Sequence, residues 1–160
     1  MAYFDDLPFV ERSFLKLYRY RRSPWKTMAR LEKPLSASRG ALITTAALHL
    51  PGQEPFDESI RGGDWSYREI PDATDVGTLR TSHRSKSFDR AGLESDPNLA
   101  LPLDRLHELA ARGVIGPPNR RHFSFMGSIV APGRLLRESG PEVADKLRKD
   151  AVDWVLLTPV

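Results

Sequence analysis

Hydrophobic residues along this chain fall into two kinds of block. Gly40-Ala41-Leu42-Ile43-Thr44-Thr45-Ala46-Ala47-Leu48-His49-Leu50 begins with an unbroken apolar run, and Trp154-Val155-Leu156-Leu157 is a second one. Runs of four to eight residues without alternation are the signature of strands covered on both faces, as in a parallel sheet. Arg121-His122-Phe123-Ser124-Phe125-Met126-Gly127 alternates, which also predicts a strand. Two stretches repeat at helical spacing instead. In Leu101–Gly116, Leu103, Leu106, Leu109 and Ala110 form one stripe, Pro102 and Asp104 mark the start, and Arg112 and Gly113 mark the end. In Pro141–Asp150, Val143, Ala144 and Leu147 share a face, Glu142 and Asp145 lie early, and Lys146, Arg148 and Lys149 lie late, which suits the helix dipole. Pro141 is expected at the first helical position.

Helices interleaved with apolar strands predict an α/β fold: one domain over residues 35–160, with a mostly parallel sheet flanked by helices. The helices over 102–112 and 141–150 are expected on its faces, with 41–45 and 154–158 as neighbouring parallel strands. The run at 154–157 reads as a central strand. Residues 1–34 read as an irregular N-terminal arm with a short helix over Phe9–Arg19, punctuated by Pro8, Pro24 and Pro34. Residues 51–75 turn to Pro, Gly, Asp and Glu and predict a long loop with a short strand at Tyr67–Pro71. Leu79–His83 is a brief extended piece, Asp96-Pro97-Asn98 is a turn, and Pro132–Glu138 leads to the closing helix.

Composition narrows the class. With 40% hydrophobic and 28% charged residues the chain reads as a globular protein able to bury one core. No apolar run approaches the ~20 residues of a membrane helix, and the acidic start lacks a signal-peptide layout, so a cytoplasmic location is expected. There is no cysteine among the 160 residues, hence no disulfide, thiolate metal site or thiol nucleophile, and no metal site is expected. Nine basic residues stand against two acidic ones between Glu11 and Arg39, leaving 15 and 19 elsewhere from totals of 24 and 21. The stretch Arg19-Tyr20-Arg21-Arg22-Ser23-Pro24-Trp25-Lys26 interleaves bases with aromatics, as nucleic-acid surfaces do. No nucleic-acid motif accompanies it, so a solvated arm whose aromatics pack on the body is the preferred reading.

Some residue types carry chemistry. In α/β sheets, ligands lie beyond the carboxyl ends of the strands. Thr44 and Thr45 end the first strand, where they either line a cleft or serve simply as strand residues. His83 ends the extended piece and Asp89 follows within loop reach. The pair either does acid–base work or forms a surface turn in which His83 meets backbone. His49 reads as a satisfied structural histidine. Gly62-Gly63 is a hinge or turn, since no helix start follows at phosphate-loop spacing.

The order of the blocks Ala41-Leu42-Ile43-Thr44-Thr45, Thr81-Ser82-His83 with Phe88-Asp89, Asp96-Pro97-Asn98, Pro102-Leu103-Asp104-Arg105-Leu106, Gly113-Val114-Ile115-Gly116 and Val155-Leu156-Leu157-Thr158-Pro159-Val160 resembles the selenoprotein B family of glycine, sarcosine and betaine reductases, with related D-proline reductase components. The resemblance implies a component of a selenol- or thiol-dependent reductase that cleaves an amine C–N bond. It also implies a small amine or amino-acid-like substrate and a pyruvoyl-type or thioredoxin-linked partner subunit. Thr44, Thr45 and Ser82 are then expected to line the substrate cleft, with His83 as proton donor to the leaving amine and Asp89 orienting it. In the family, the strand resembling Val155–Val160 runs into a selenocysteine or cysteine followed two residues later by a cysteine. A selenocysteine or cysteine is therefore expected just after Val160, with UGA as the next codon, and the 160-residue chain alone is expected to show no redox turnover. A competing reading is a non-catalytic α/β subunit that binds a protein partner through its basic arm.

Overall fold

A computed structural model describes residues 8–17, 29–85, 88 and 90–160. The chain divides into two units, residues 1–30 and 31–160. In the first unit, α1 (Phe9–Leu17) is a helix, opened by a hydrogen bond from the Arg12 amide to the Pro8 carbonyl. The expected final residues of this helix, 18 and 19, and the basic stretch Arg19–Lys26 lie outside the described residues.

The second unit is an α/β structure. Its strands in chain order are β1 (Gly40–Thr44), β2 (Leu48–His49), β3 (Tyr67–Pro71), β4 (Arg80–Thr81), β5 (Arg121–Phe125) and β6 (Trp154–Thr158). Four of them form a sheet in the order β3-β5-β1-β6, while β2 and β4 pair antiparallel beside it. β1 runs parallel to both β5 and β6, and β3 runs antiparallel to β5. The register between β1 and β6 pairs Gly40 with Trp154 and Thr44 with Thr158, as expected for neighbouring parallel strands.

Helices α2 (Arg90–Ser95), α3 (Leu103–Ala111), α4 (Gly133–Arg137) and α5 (Ser139–Lys149) complete the unit. Because strand side chains alternate, β1 feeds two cores. Leu42 packs with Ile70, Leu101, Leu103 and Leu106 on the α3 side. Ala41 packs with Phe123, Phe125, Val143 and Leu147 on the α5 side. Fully burying a leucine or phenylalanine contributes about 1.5–3 kcal/mol, so these two clusters account for much of the stability. No described helix is long and apolar enough to cross a membrane.

Two expectations need correction. The run Trp154–Leu157 reads as a central strand, but among the described residues β6 pairs with β1 alone and is an outer strand of the sheet, with Leu156 44% and Leu157 64% exposed. An apolar run reports a preference for cover on both faces; it does not report how many strands pair beside it or whether a layer packs on each face. The closing helix also begins two residues earlier than expected, at Ser139, so Pro141 is third in it. This costs no hydrogen bond, because the first four N–H groups of any helix lack an intrahelical partner.

The amino ends of the strands are clamped by one carboxylate. Asp150, at the end of α5, has a side chain only 1% exposed. It accepts from Arg121 Nε (2.6 Å) and Nη2 (3.0 Å), from Arg120 Nη2 (2.9 Å) and from Asn119 Nδ2 (3.2 Å). The Arg121 hydrogen bonds are the main reason its carboxyl is held down at about 2. Both long helices finish in the same way. Gly113 takes φ +69° after α3 and Ala151 takes φ +54° after α5. The next amides, of Val114 and Val152, reach back to Leu109 and Leu147 (3.0 Å each).

Candidate functional site

The carboxyl ends of β1, β5 and β6 meet the loop that carries His83. Beyond β1, Thr45 turns its hydroxyl toward the end of β6, accepting from the Val160 amide (3.0 Å) and lying 3.2 Å from the Val160 carbonyl. Beyond β5 stands Gly127. A Cβ on this glycine would lie 2.9 Å from the Thr45 carbonyl and 3.0 Å from both His83 Nε2 and the Val160 carbonyl. Four segments distant in sequence therefore close on one point, and only a residue without a side chain lets them do so. Sequence reasoning included Gly127 in the strand but did not single it out. Its one signal is a glycine directly after an alternating strand, the position where backbone approaches a neighbour closely.

His83 is buried, at 3% exposure. Its Nδ1 accepts from the Ser85 backbone amide (3.2 Å). A backbone N–H only donates, so Nδ1 carries no proton and the neutral ring holds its proton on Nε2. That Nε2 is buried and has no hydrogen-bond partner among the described residues. The ring stacks on Phe88 with centroids 4.4 Å apart and planes 18° from parallel. Arg90 donates to the His83 carbonyl and holds its guanidinium over the Phe88 ring. Burial, and then the charge of Arg90, lower the His83 pKa against a smaller opposing effect from Glu58.

The other expected site residues are placed differently. The side chain of Thr44 is fully buried on the opposite face of the strand from Ile43, where its hydroxyl accepts from the Ala46 amide (3.2 Å) and meets the Thr158 carbonyl (3.4 Å). That role is internal to the backbone turn after β1. Ser82 lies 3.0 Å from His49 Nε2, and His49 Nδ1 lies 3.0 Å from the Leu50 carbonyl. The carbonyl can only accept, so Nδ1 is the protonated nitrogen and the Ser82 hydroxyl donates to Nε2. His49 is thus a satisfied histidine, and it occupies Ser82. Asp89 lies outside the described residues. Thr45 and His83 are therefore the two expected residues that the fold brings together.

Thr45 and Gly127 also form part of the wall of a groove of about 420 Å³ between the sheet and α5. The rest of that wall is apolar, including Ile43, Phe125, Ile129, Leu135, Val143 and Leu147. An apolar groove beside a few convergent polar groups is the usual form of a small-molecule site. Among the described residues, no group of three or more His, Cys, Asp or Glu side chains could hold a metal ion.

Comparison with known proteins gives a consistent picture. Residues 27–160 match the family described as glycine/sarcosine/betaine reductase selenoprotein B. The chain is 32% identical over 126 residues to the D-proline reductase subunit gamma of Acetoanaerobium sticklandii, covering 79% of this chain and 50% of that one. It is 28% identical to the betaine reductase complex component B subunit beta of Peptoclostridium acidaminophilum, over 79% of this chain and 29% of that one. The glycine reductase complex component B subunit gamma of Symbiobacterium thermophilum is also 28% identical, with the same shares covered. The chain thus spans half or less of the length of these relatives. No solved structure matches it.

Proposed function

The chain belongs to the glycine/sarcosine/betaine reductase selenoprotein B family, and from that premise we propose that it is the part of a cytoplasmic amine-cleaving reductase that builds the substrate side of the active site. The observation that carries this reading is the convergence of Thr45, His83, Gly127 and the Val160 carbonyl at the carboxyl ends of the sheet. This is the place where α/β folds hold ligands. On this reading the substrate is a small amine or amino acid and the C–N bond is cleaved reductively by two electrons. The partner is another subunit of the reductase complex, of the pyruvoyl or thioredoxin-linked kind.

The reading needs a selenocysteine or cysteine joined to Val160. The surroundings fit such a residue, because the Val160 backbone is tied at both its amide and its carbonyl to Thr45 and stands beside His83 and Gly127. A selenol or thiol there would supply the nucleophile and, with a dithiol, the route for electrons.

The chain's own residues contribute position and polarity. Thr45 orients the end of β6. His83 offers an N–H to an acceptor atom of the bound substrate, such as its carboxylate, a hydrogen bond that counts for more in a site closed to water. The apolar groove would take up the alkyl part of the substrate and exclude water from it. Ile43 and Phe125 on the sheet, and Val143 and Leu147 on α5, are its flanks.

The test is amine release from glycine, sarcosine, betaine and D-proline with dithiothreitol as reductant. It uses a form carrying cysteine or selenocysteine directly after Val160, combined with the other subunits of a reductase complex. Release from at least one of the four is expected. Release from none, with the form folded and the complex assembled, refutes the reading.

A further inference from the structure

Ser85, Phe88 and Arg90 hold the imidazole of His83 from several sides, and the manner of holding fixes what the imidazole can do. The Ser85 amide donates to Nδ1 at 3.2 Å. Phe88 lies flat against the ring. Arg90, the first residue of α2, is bonded to the His83 carbonyl and so pins the backbone from which the ring projects. An imidazolium carries protons on both nitrogens, and its Nδ1–H would oppose the Ser85 N–H head-on. Among the described residues, the charged groups acting on the ring are Arg90 from α2 and Glu58 from the loop after β2. The buried Nε2, without a partner among the described residues, is left beside Gly127 and the end of β6.

We propose that Ser85, Phe88 and Arg90 form a tautomer lock: as positioning residues they present His83 to the cleft as a neutral N–H donor. The proposal rests on reading the cleft as the substrate site and deepens that reading. A neutral, Nε2-protonated imidazole lends a hydrogen bond without giving up its proton outright. His83 then hydrogen-bonds to an acceptor atom on the ligand, such as a carboxylate oxygen. The role of general acid, which requires an imidazolium, is excluded as long as the Ser85 amide keeps its place. Neutral histidine used in this way is a known solution where a site must polarise a group without exchanging protons.

The experiment is ¹H–¹⁵N correlation spectroscopy of the ring nitrogens in the 160-residue chain labelled with ¹⁵N-histidine, from pH 5 to pH 8. The lock predicts that at pH 7 His83 shows one tautomer, with the proton on Nε2 and none on Nδ1, and that it titrates below the ordinary histidine range. Ser85→Ala keeps the backbone N–H and should leave that signature unchanged. Ser85→Pro removes the N–H and should let the Nδ1–H tautomer appear. If Ser85→Pro does not fold, the unmodified chain decides alone. An Nδ1–H tautomer or an imidazolium at pH 7 overturns the lock, as does a folded Ser85→Pro that keeps the original signature. These readouts are independent of turnover. A chain that shows the tautomer but belongs to a complex releasing no amine keeps the lock and loses the function. One that turns over with an imidazolium at position 83 keeps the function and loses the lock.

Discussion

Replacing Asp150 by asparagine should be one of the most costly single changes in the body of this protein. The carboxylate is 1% exposed and takes hydrogen bonds from Asn119, Arg120 and Arg121, the residues that lead into β5. Its carboxyl is held at about 2 against an ordinary 3.8, chiefly by Arg121. That displacement corresponds to roughly 2 kcal/mol of folding free energy, at about 1.4 kcal/mol per unit. The neutral amide would keep the shape but leave Arg121, itself only 20% exposed, with Glu69 as its remaining anionic partner among the described residues. Removing one partner of a buried pair costs about 3–5 kcal/mol, and the remaining contact to Glu69 places the expected loss at about 2–4 kcal/mol. Urea denaturation at pH 7 should show a lower midpoint and an unchanged slope. The acid limb gives a second check. Because the folded pKa is depressed, the contribution is complete above pH ~4 and fades as pH falls through about 2. The natural protein should therefore lose stability steeply across that window, and Asp150→Asn should lose much less. A loss under ~1 kcal/mol at pH 7, or identical acid limbs, would refute the clamp.

Three further changes probe other parts of the fold. Ala151 occupies a left-handed conformation, so Ala151→Gly should stabilise by about 1 kcal/mol and raise the melting temperature by a few degrees; a lower melting temperature would count against the cap. Gly40→Ala would bring a methyl to 2.1 Å from the Trp154 ring and should cost about 2–3 kcal/mol in urea denaturation, whereas a neutral result would mean that β6 does not pack on β1 as described. Burial holds His122 below its ordinary pKa despite Asp72 (3.0 Å), and its Nδ1 accepts from the Leu42 amide (3.0 Å). Its stabilising effect is complete above 6.5 and declines as pH falls below it, because the unfolded chain takes up the proton first. Melting temperature should fall from pH 7 to pH 5, and more steeply in the natural protein than in His122→Gln.

The periodic elements are legible in the sequence, and the polar connections are not. Leu103, Leu106 and the cap at Gly113 follow from spacing and glycine chemistry alone, and both appear as expected. The parallel pairing of residues 41–45 with 154–158 follows from two apolar runs separated by helices. What spacing cannot supply is the number of neighbours a strand finds, and so β6 reads as central when it is an outer strand. Thr44 and Thr45 look equivalent in sequence, but strand alternation sends the first into the protein and leaves the second at the cleft. Ser82 and His83 are adjacent, but Ser82 is taken by His49 from another strand, a pairing with no local signal. Gly127 escapes notice for a related reason: what makes it necessary is three polar atoms contributed by other segments.

The account stands or falls on whether the cleft beside His83 is where the substrate is handled. The most direct measurement is the steady-state rate of amine release by the assembled complex, using a form with cysteine or selenocysteine after Val160. The complex would carry His83→Phe, which keeps a flat ring but removes the N–H, and, as a control of similar burial, His49→Gln. The account predicts that His83→Phe lowers kcat by about 10²-fold, the scale expected for loss of one preorganised donor, with a urea midpoint close to that of the parent. It predicts that His49→Gln leaves kcat within about threefold of the parent when compared under conditions where both are folded, since its bonds to Leu50 and Ser82 are structural. Unchanged turnover in a folded His83→Phe complex, or an equal loss in both variants, would contradict it.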